Sequence, residues 1–459
     1  MAADGTTLLL GLEGLEVERV ELGAAGLRVV HVVTAASAPP GCPTCGVVSA
    51  SAKGRVATRP RDLPAFGRPV RLLWHKRRWR CAEPACPRLS FTEALPGVPA
   101  RSRLTGRLRR AAGEAVADGG RSVVQSGRDH GLSWPVVWDA FAGYAAEVLP
   151  AEPEPVEVLG IDEVRRGKPR FEVDPGTGEL TQIADRWHVG FTDLSGGQGM
   201  LGQVEGRDAT SAAAWLAAQP KAWRDGVRFV AIDMCAPFRA AVRRALPHAQ
   251  VVVDCFHLVQ LANRKLAELR RRLTWKARGR RGRKNDPEWK VRGLLRRNKE
   301  DLAPEQLDRL RTELEGTGTY GKQIYQGWQA KELLRDLLRL TFKHSHVTPD
   351  RAALSQARYA FQAFCADRPY LPELVSLAKA VDEWWDGIEA YVFTGVTNAG
   401  SEGANRVVKL DARVAFGYRN PANQRLRART ATTRKARRDA ATRKARRDAE
   451  DRDKKPAPG

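Results

Sequence analysis

VEVLGIDEV, residues Val156–Val164, is an apolar run of strand length that ends on two acids, Asp162 and Glu163. The same plan recurs in VRFVAIDM (Val227–Met234), which ends on Asp233, and in QVVVDCFHLV (Gln250–Val259), which passes Asp254 into a helical pattern. Between these runs, DRWHVGFTDL (Asp185–Leu194) and GMLGQVEG (Gly199–Gly206) read as strands. DATSAAAWLAAQ (Asp208–Gln219) and PFRAAVRRALP (Pro237–Pro247) read as helices. Three strands, helix, strand, helix, strand is the order of a mixed sheet with helices on its faces. Carboxylates at the strand ends of an open sheet are exposed or bind a ligand. Side-chain alternation turns Glu163 away from the face that carries Asp162.

Outward from this sheet the chain changes character. Residues 1–99 read as short strands and turns, with LEVERVEL and LRVVHVV alternating and Val70, Leu72 and Trp74 on one face of a strand. Residues 100–149 read as helical. In RSVVQSGRDHGLSWPVVWDAFAGY a helix meets Gly131, and Ser133 then N-caps a second helix whose first turn suits Pro135. A glycine turn between two short helices in a basic chain signals a helix-turn-helix. The second helix is poor in Arg and Lys, so a packing pair without groove contact stands as the alternative. PAEPEPVE (Pro150–Glu157) is a proline linker. The sheet occupies residues 150–263, and a helical insertion follows over 264–393, opening on a basic block that includes Arg280, Arg281 and Arg283, which are expected to contact a nucleic-acid backbone rather than bases. Residues 394–429 return to the sheet's domain, and 430–459 form a low-complexity tail that repeats TRKARRDA.

With 77 Lys and Arg against 53 Asp and Glu, a formal charge of +24, the chain suits a nucleic-acid partner. No apolar run approaches the ~18 residues of a membrane span, and MAADGTTLLLGL has no basic stretch ahead of its apolar one. A cytoplasmic, nucleoid-associated protein without a membrane partner is the expectation. Seven cysteines in 459 residues are not a disulfide scaffold. Four of them fall in two pairs, Cys42/Cys45 and Cys81/Cys86, with Pro and Gly beside them to turn the chain. Two knuckles presenting four thiolates suit tetrahedral zinc. Cys235, Cys255 and Cys365 have no such spacing and read as core, and His75 reads as a surface histidine.

TNAGSEGANRVVK (Thr397–Lys409) places one acid, Glu402, at the start of a basic helix, with Asn398 as N-cap. Glu402, Arg406, Lys409 and Arg413 are spaced 4, 3 and 4 and share one face. A surface ion pair of Glu402 with Arg406 would contribute ~0.5 kcal/mol. The other reading is a metal-binding acid followed by cations that track a phosphate backbone. Gly400 and Gly403 would let a bulky ligand approach.

Together CPTCG, DLPAFGRPVRLLWHKRRWRC, CPRLSFTE, GIDE, AIDM, DCFHLVQLANRKL and TNAGSEGANRVVKLDARVAFGYRNPANQRLR resemble bacterial insertion-sequence transposases of the ISL-three family, which carry an Asp-Asp-Glu triad. The resemblance runs from about Leu8 to Arg429. It implies a ribonuclease-H-like core interrupted by a helical insertion before the glutamate, preceded by a zinc-binding region and a helix-turn-helix that recognise the element's ends. It implies that Asp162, Asp233 and Glu402 bind catalytic Mg2+ or Mn2+. Asp254 and His257 match a further D-x-x-H feature that would support the site, contact DNA or pack. The expected chemistry is metal-dependent cleavage at the element's terminal inverted repeats, then strand transfer to target DNA by two Mg2+ ions. The protein would work on double-stranded DNA as a homodimer or higher oligomer, with Trp275 and Trp289 available to stack on bases. The rivals are a non-catalytic zinc and helix-turn-helix regulator, and a structure-selective nuclease on the same core.

Overall fold

The computed structural model describes residues 5–35, 39–168, 170–184, 186–341 and 347–453. Asp185, at the head of one stretch read as a strand, lies outside them, as do residues 1–4 and 454–459. The chain divides into two units, Met1–Ala151 with Val408–Arg434, and Glu152–Val407 with Lys435–Gly459.

In the first unit, six strands form one sheet: β1 (Leu15–Leu22), β2 (Arg28–Thr34), β3 (Ala52–Thr58), β4 (Arg61–Ala65), β5 (Arg68–Arg80) and β6 (Ser90–Thr92). The order is β1-β2-β5-β3, with β4 and β6 also paired to β5. Strand β5 is the organiser. Its alternation buries Val70, Leu72 and Trp74, as the sequence predicts, and carries on to Lys76, whose ammonium lies 3.9 Å from the centre of the Trp74 ring. His75 differs from the surface reading. It is half-buried and stacks on His31 across the parallel β2–β5 pair, ring centroids 5.8 Å apart.

Three helices follow, Gly106–Ala117, Val123–His130 and Trp134–Val148. The last two meet at Gly131, whose φ of 63° closes the turn. Ser122 caps its helix by accepting from the Gln125 N–H. Ser133 holds the expected N-cap position, but its side chain makes no cap bond; Pro135, two residues on, has no N–H to give. Gly113 lets the first helix close on the third: a β-carbon there would stand 2.6 Å from the Ala140 carbonyl oxygen. Val408–Arg434 packs into this unit through Arg427, which is buried, bonds Asp411 and the Arg121 carbonyl, and lies 5.5 Å from the Phe141 ring centre.

In the second unit the expected mixed sheet is present. Its strands are β7 (Val158–Arg165), β10 (Trp187–Asp193), β11 (Met200–Glu205), β12 (Phe229–Ile232) and β13 (Gln250–Val253), in the order β11-β10-β7-β12-β13. β10 runs antiparallel to both neighbours, while β7, β12 and β13 are parallel. This is the ribonuclease-H-like arrangement. A ribbon that the sequence reading passed over, β8 (Arg170–Val173) with β9 (Leu180–Ala184), joins β7 to β10. The helices Ala209–Ala217 and Ala236–Ala245 cover the sheet, and Trp385–Thr394 lies on β13, where Gly387 admits it: a β-carbon would meet the Val253 side chain at 2.7 Å. One apolar core runs from Ile161 and Phe191 in the sheet to Leu337 and Phe361 in the helical insertion. The helix Cys255–Arg278 crosses residue 264 unbroken, and Pro421–Asp453 crosses residue 430 unbroken, with the TRKARRDA repeats on it.

Candidate active site

Parallel pairing sets the acids level. Ile161 of β7 is in register with Ile232 of β12, and Ile232 with Val253 of β13. The next residue of each strand is therefore Asp162, Asp233 and Asp254, in a row at the carboxyl edge of the sheet. Their surroundings then give them different roles.

Asp162 accepts from the Glu163 N–H (2.7 Å) and from the Asn405 amide (2.8 Å). Burial, then the nearby Asp233 charge, pushes its carboxyl up to about 7, against the pull of those hydrogen bonds. Burial also raises the Asp233 carboxyl, while His257 and an Asn398 hydrogen bond oppose the rise. Asp254 is buried and engaged: it caps the helix Cys255–Arg278 through the Phe256 N–H (2.9 Å) and accepts from the Asn398 N–H (3.0 Å). Asp254 thus ties the start of its own helix to the residue that caps the Glu402 helix. His257 stands at the site, its Nε2 3.2 Å from Asp233 and 3.6 Å from Glu402.

Glu402 arrives in the first turn of the helix Ala399–Val414. Gly160 makes the approach possible. A β-carbon on it would lie 2.2 Å from Ser401 Oγ and 2.9 Å from Asn398 Oδ1, so any other residue in β7 would push the helix away. Asn398 caps by its backbone carbonyl, which accepts from Ser401 and Glu402 N–H groups, while its side-chain amide donates to Ile161 and Asp233. Gly400 has a packing reason, since a β-carbon would meet Leu194 at 2.5 Å; Gly403 faces open space. Asn405 escaped the sequence reading, although it lies three residues from Glu402 and so on the same face.

Arg406 lies 3.8 Å from Glu402 with its side chain 81% exposed, a loose pair. Lys409 and Arg413 are also exposed. In the basic block, Arg281 and Arg283 are exposed, whereas both terminal nitrogens of Arg280 bond Asp286. Trp275 is 62% exposed and free to stack. Trp289 is half-buried, with Arg292 4.5 Å and Arg270 5.7 Å from its ring centre, so it is already covered.

The donors at the sheet edge are carboxylate oxygens, two of them raised above their ordinary range chiefly by burial, and that suits a hard divalent cation. Among the described residues, these acids do not close into a cage. The set of three or more metal-type donors that does lie together, within 4.8 Å of one another, is Cys42, Cys45, Cys81 and Cys86. Mg2+ needs no cage, because it keeps waters and takes substrate phosphate oxygens. The cysteines come in crossed pairs, Cys42 with Cys86 at 4.0 Å and Cys45 with Cys81 at 3.5 Å. Tetrahedral zinc with bonds of about 2.3 Å asks for about 3.8 Å between sulfurs. The first knuckle is set by the Cys42 N–H on Val47 and the Gly46 N–H on Cys42.

Comparison with known proteins agrees with this layout. Residues 159–428 match a family described as a transposase, residues 38–86 a zinc-finger of transposase IS204/IS1001/IS1096/IS1165, and residues 93–145 a helix-turn-helix domain of transposase family ISL3. The transposase for insertion sequence element IS1001 of Bordetella parapertussis is 26% identical over 433 residues, 93% of this chain and 97% of that protein. Among solved structures, the Drosophila P element transposase strand transfer complex overlaps with a TM-score of 0.40 at 9% identity, covering 71% of this chain and 91% of that one, a likeness too slight to carry an argument. The cysteine cluster is a zinc-ribbon site. Among the described residues no helix is long and apolar enough to cross a membrane.

Proposed function

The chain belongs to transposase family ISL3, and from that premise we propose that Asp162, Asp233 and Glu402 hold divalent metal and carry the DNA cleavage and strand-transfer steps of transposition. The observation that supports this most is the pairing of Asp162 and Asp233, two half-buried carboxylates level on neighbouring parallel strands, with the Asp162 carboxyl pushed up to about 7. A bound cation would relieve the repulsion between these two carboxylates. A pair of Mg2+ ions bound there would act as Lewis acids on the scissile phosphodiester and on the attacking oxygen.

The chain's own residues prepare that site. Asn405 fixes Asp162, Asn398 fixes Asp233, and His257 stands 3.2 Å from Asp233 and 3.6 Å from Glu402. Arg406, Lys409 and Arg413 extend from the acid along one exposed helix face, and Arg281 and Arg283 add exposed charge, so these cations would neutralise phosphates of the element's ends and the target. Arg280 drops out of that set because Asp286 already holds it. The protein would act as a dimer or higher oligomer, since two element ends must meet.

The test is Glu402→Gln, which keeps size and helix and removes the charge. In Mg2+, on one folded preparation, cleavage and joining are expected to fall by orders of magnitude while DNA binding persists. Cleavage near the wild-type rate would remove Glu402 from the site.

A further inference from the structure

The exposed face of the second helix of the helix-turn-helix carries Asp139 and Glu147, and its sequence, Trp134–Val148, contains no Lys or Arg. That face is ill suited to a phosphate-lined groove. Its leading end is aromatic instead. Trp134, 46% exposed, lies flat on Trp138, with ring centroids 5.6 Å apart and planes 5° apart. These rings wall a cavity of about 730 Å³, contained in the first unit and bounded on its other side by the turn after the glutamate helix.

Phe416 belongs to that turn and is 98% exposed. Its N–H bonds the Arg413 carbonyl, the Gly417 N–H bonds the Ala412 carbonyl, and its φ is 54°. This is the left-handed residue that ends a helix, a position where glycine is favoured because it has no β-carbon to clash. A phenylalanine there carries backbone strain and leaves a whole ring in water. Strained backbone without packing in return marks a functional position. Arg128 and Arg419, both exposed, also line the cavity, as does the amide of Asn423. Buried Arg427, clamped by Asp411, gives the wall a fixed base.

We propose that this cavity takes a single unstacked nucleobase of the bound DNA, laid against the Trp134 and Phe416 rings, with the flanking phosphates on Arg128 and Arg419. The volume lies in the range of small-ligand pockets. Flat aromatic walls hold any base by its π-face, and a polar amide at the edge can read its rim. The proposal rests on the DNA-binding reading and is independent of the carboxylate site.

The experiment uses the full chain and two duplexes of equal length and arbitrary sequence, one fully paired and one carrying a single extrahelical 2-aminopurine. The wild type is expected to bind the second at least about fivefold more tightly and to quench its fluorescence by stacking. Phe416→Gly places the favoured residue at the helix end and so preserves the fold. It and Trp134→Ala are expected to lose both the preference and the quenching, with affinity for the paired duplex unchanged. Equal, unquenched binding of both duplexes by the wild type overturns the proposal. So does a preference that survives Phe416→Gly, or a Phe416→Gly effect confined to the oligomer's mass in sedimentation, which would make the ring a protein contact. Binding of neither duplex would sink the DNA-binding reading itself, a different result from binding both alike.

Discussion

The four cysteines and the three acids are both donor sets, yet the chain assembles them by opposite means. The cysteines lie on two local turns beside one small sheet, and their sulfurs already sit at the spacing a tetrahedral metal requires. The acids come from two strands and from a helix that follows a long helical insertion, and they stay apart, held by Asn398, Asn405 and His257. A closed set of soft donors makes the metal part of the fold. An open set of hard donors, poised by burial and repulsion, leaves room for substrate oxygens. On the proposed reading, a cation bound at each set would be structural in one place and chemical in the other, because of how many positions the protein leaves to other ligands.

The contrast breaks most sharply at Asp162. Asp162→Asn should abolish cleavage, a loss of orders of magnitude, and should also make the metal-free protein more stable at pH 8. The sign follows from the raised carboxyl. A folded-state value of about 7 against the ordinary 3.8 means that the fold holds this proton more tightly than the unfolded chain does. The group's stabilising effect is complete below about pH 4 and is lost as the pH rises through about 7. Asparagine never ionises and escapes that loss. A thermal melt beside a cleavage assay reads both effects, and a variant that is inactive but less stable than wild type at pH 8 would contradict this account of the site.

Cys42→Ser should do the reverse. Metal analysis of the wild type should find about one zinc per chain, and the variant should lose most of it. Because zinc affinity at such sites is folding energy, protease should then cut the cysteine region, while metal binding at the acids continues. Zinc retained at full occupancy would show that the four sulfurs are ordinary thiols. A smaller effect separates the two sites by pH. Mg2+ or Mn2+ must displace the Asp162 proton, so metal affinity at the acids should rise about tenfold between pH 6 and pH 8, as a group titrating at about 7 goes from mostly protonated to mostly ionised. Calorimetric titration at the two pH values measures it, and a flat profile would mean that Asp162 does not contact the ion.

What the sequence makes legible follows the same division. The cysteine pairs and the strand order are local patterns that keep their meaning in the fold, and the acids of GIDE and AIDM stand at the strand ends where that order puts them. What escapes depends on partners far away in the chain. Gly160 is one residue in a strand until Ser401 comes within reach of it. Gly400 reads as room for a ligand until Leu194 fills the space. Asn405 is an unremarked polar residue until Asp162 accepts from it, and the tie between Asp254 and Asn398 spans 144 positions of sequence. Arg280 looks like its basic neighbours because Asp286 reaches it only when the loop turns back. The β8–β9 ribbon was legible in principle, since VDPGTGEL carries a turn between short apolar stretches; its exposed strands lack the buried run that drew attention to the rest of the sheet.

The smallest expected effect concerns Arg406, and it decides what the lone glutamate is for. If Glu402 exists to pair with Arg406 on a helix surface, the two residues are one unit and losing either should do the same modest harm. The geometry speaks against a unit. The pair is 3.8 Å apart, the arginine is 81% exposed, and Glu402 Oε1 is also 3.6 Å from His257 on the side of Asp233. An exposed pair at that spacing contributes about 0.5 kcal/mol or less. Arg406→Gln should therefore leave the thermal midpoint almost unmoved and the cleavage rate at saturating DNA near wild type. Its loss should appear in binding alone, as a uniform weakening across sequences and a fall of about one in the slope of log affinity against log salt, the signature of one phosphate contact. Glu402→Gln should give the opposite pattern, with binding kept and chemistry lost. Should the two variants lose cleavage equally, the ion pair would be the working unit and the acid's claim on a metal would fall.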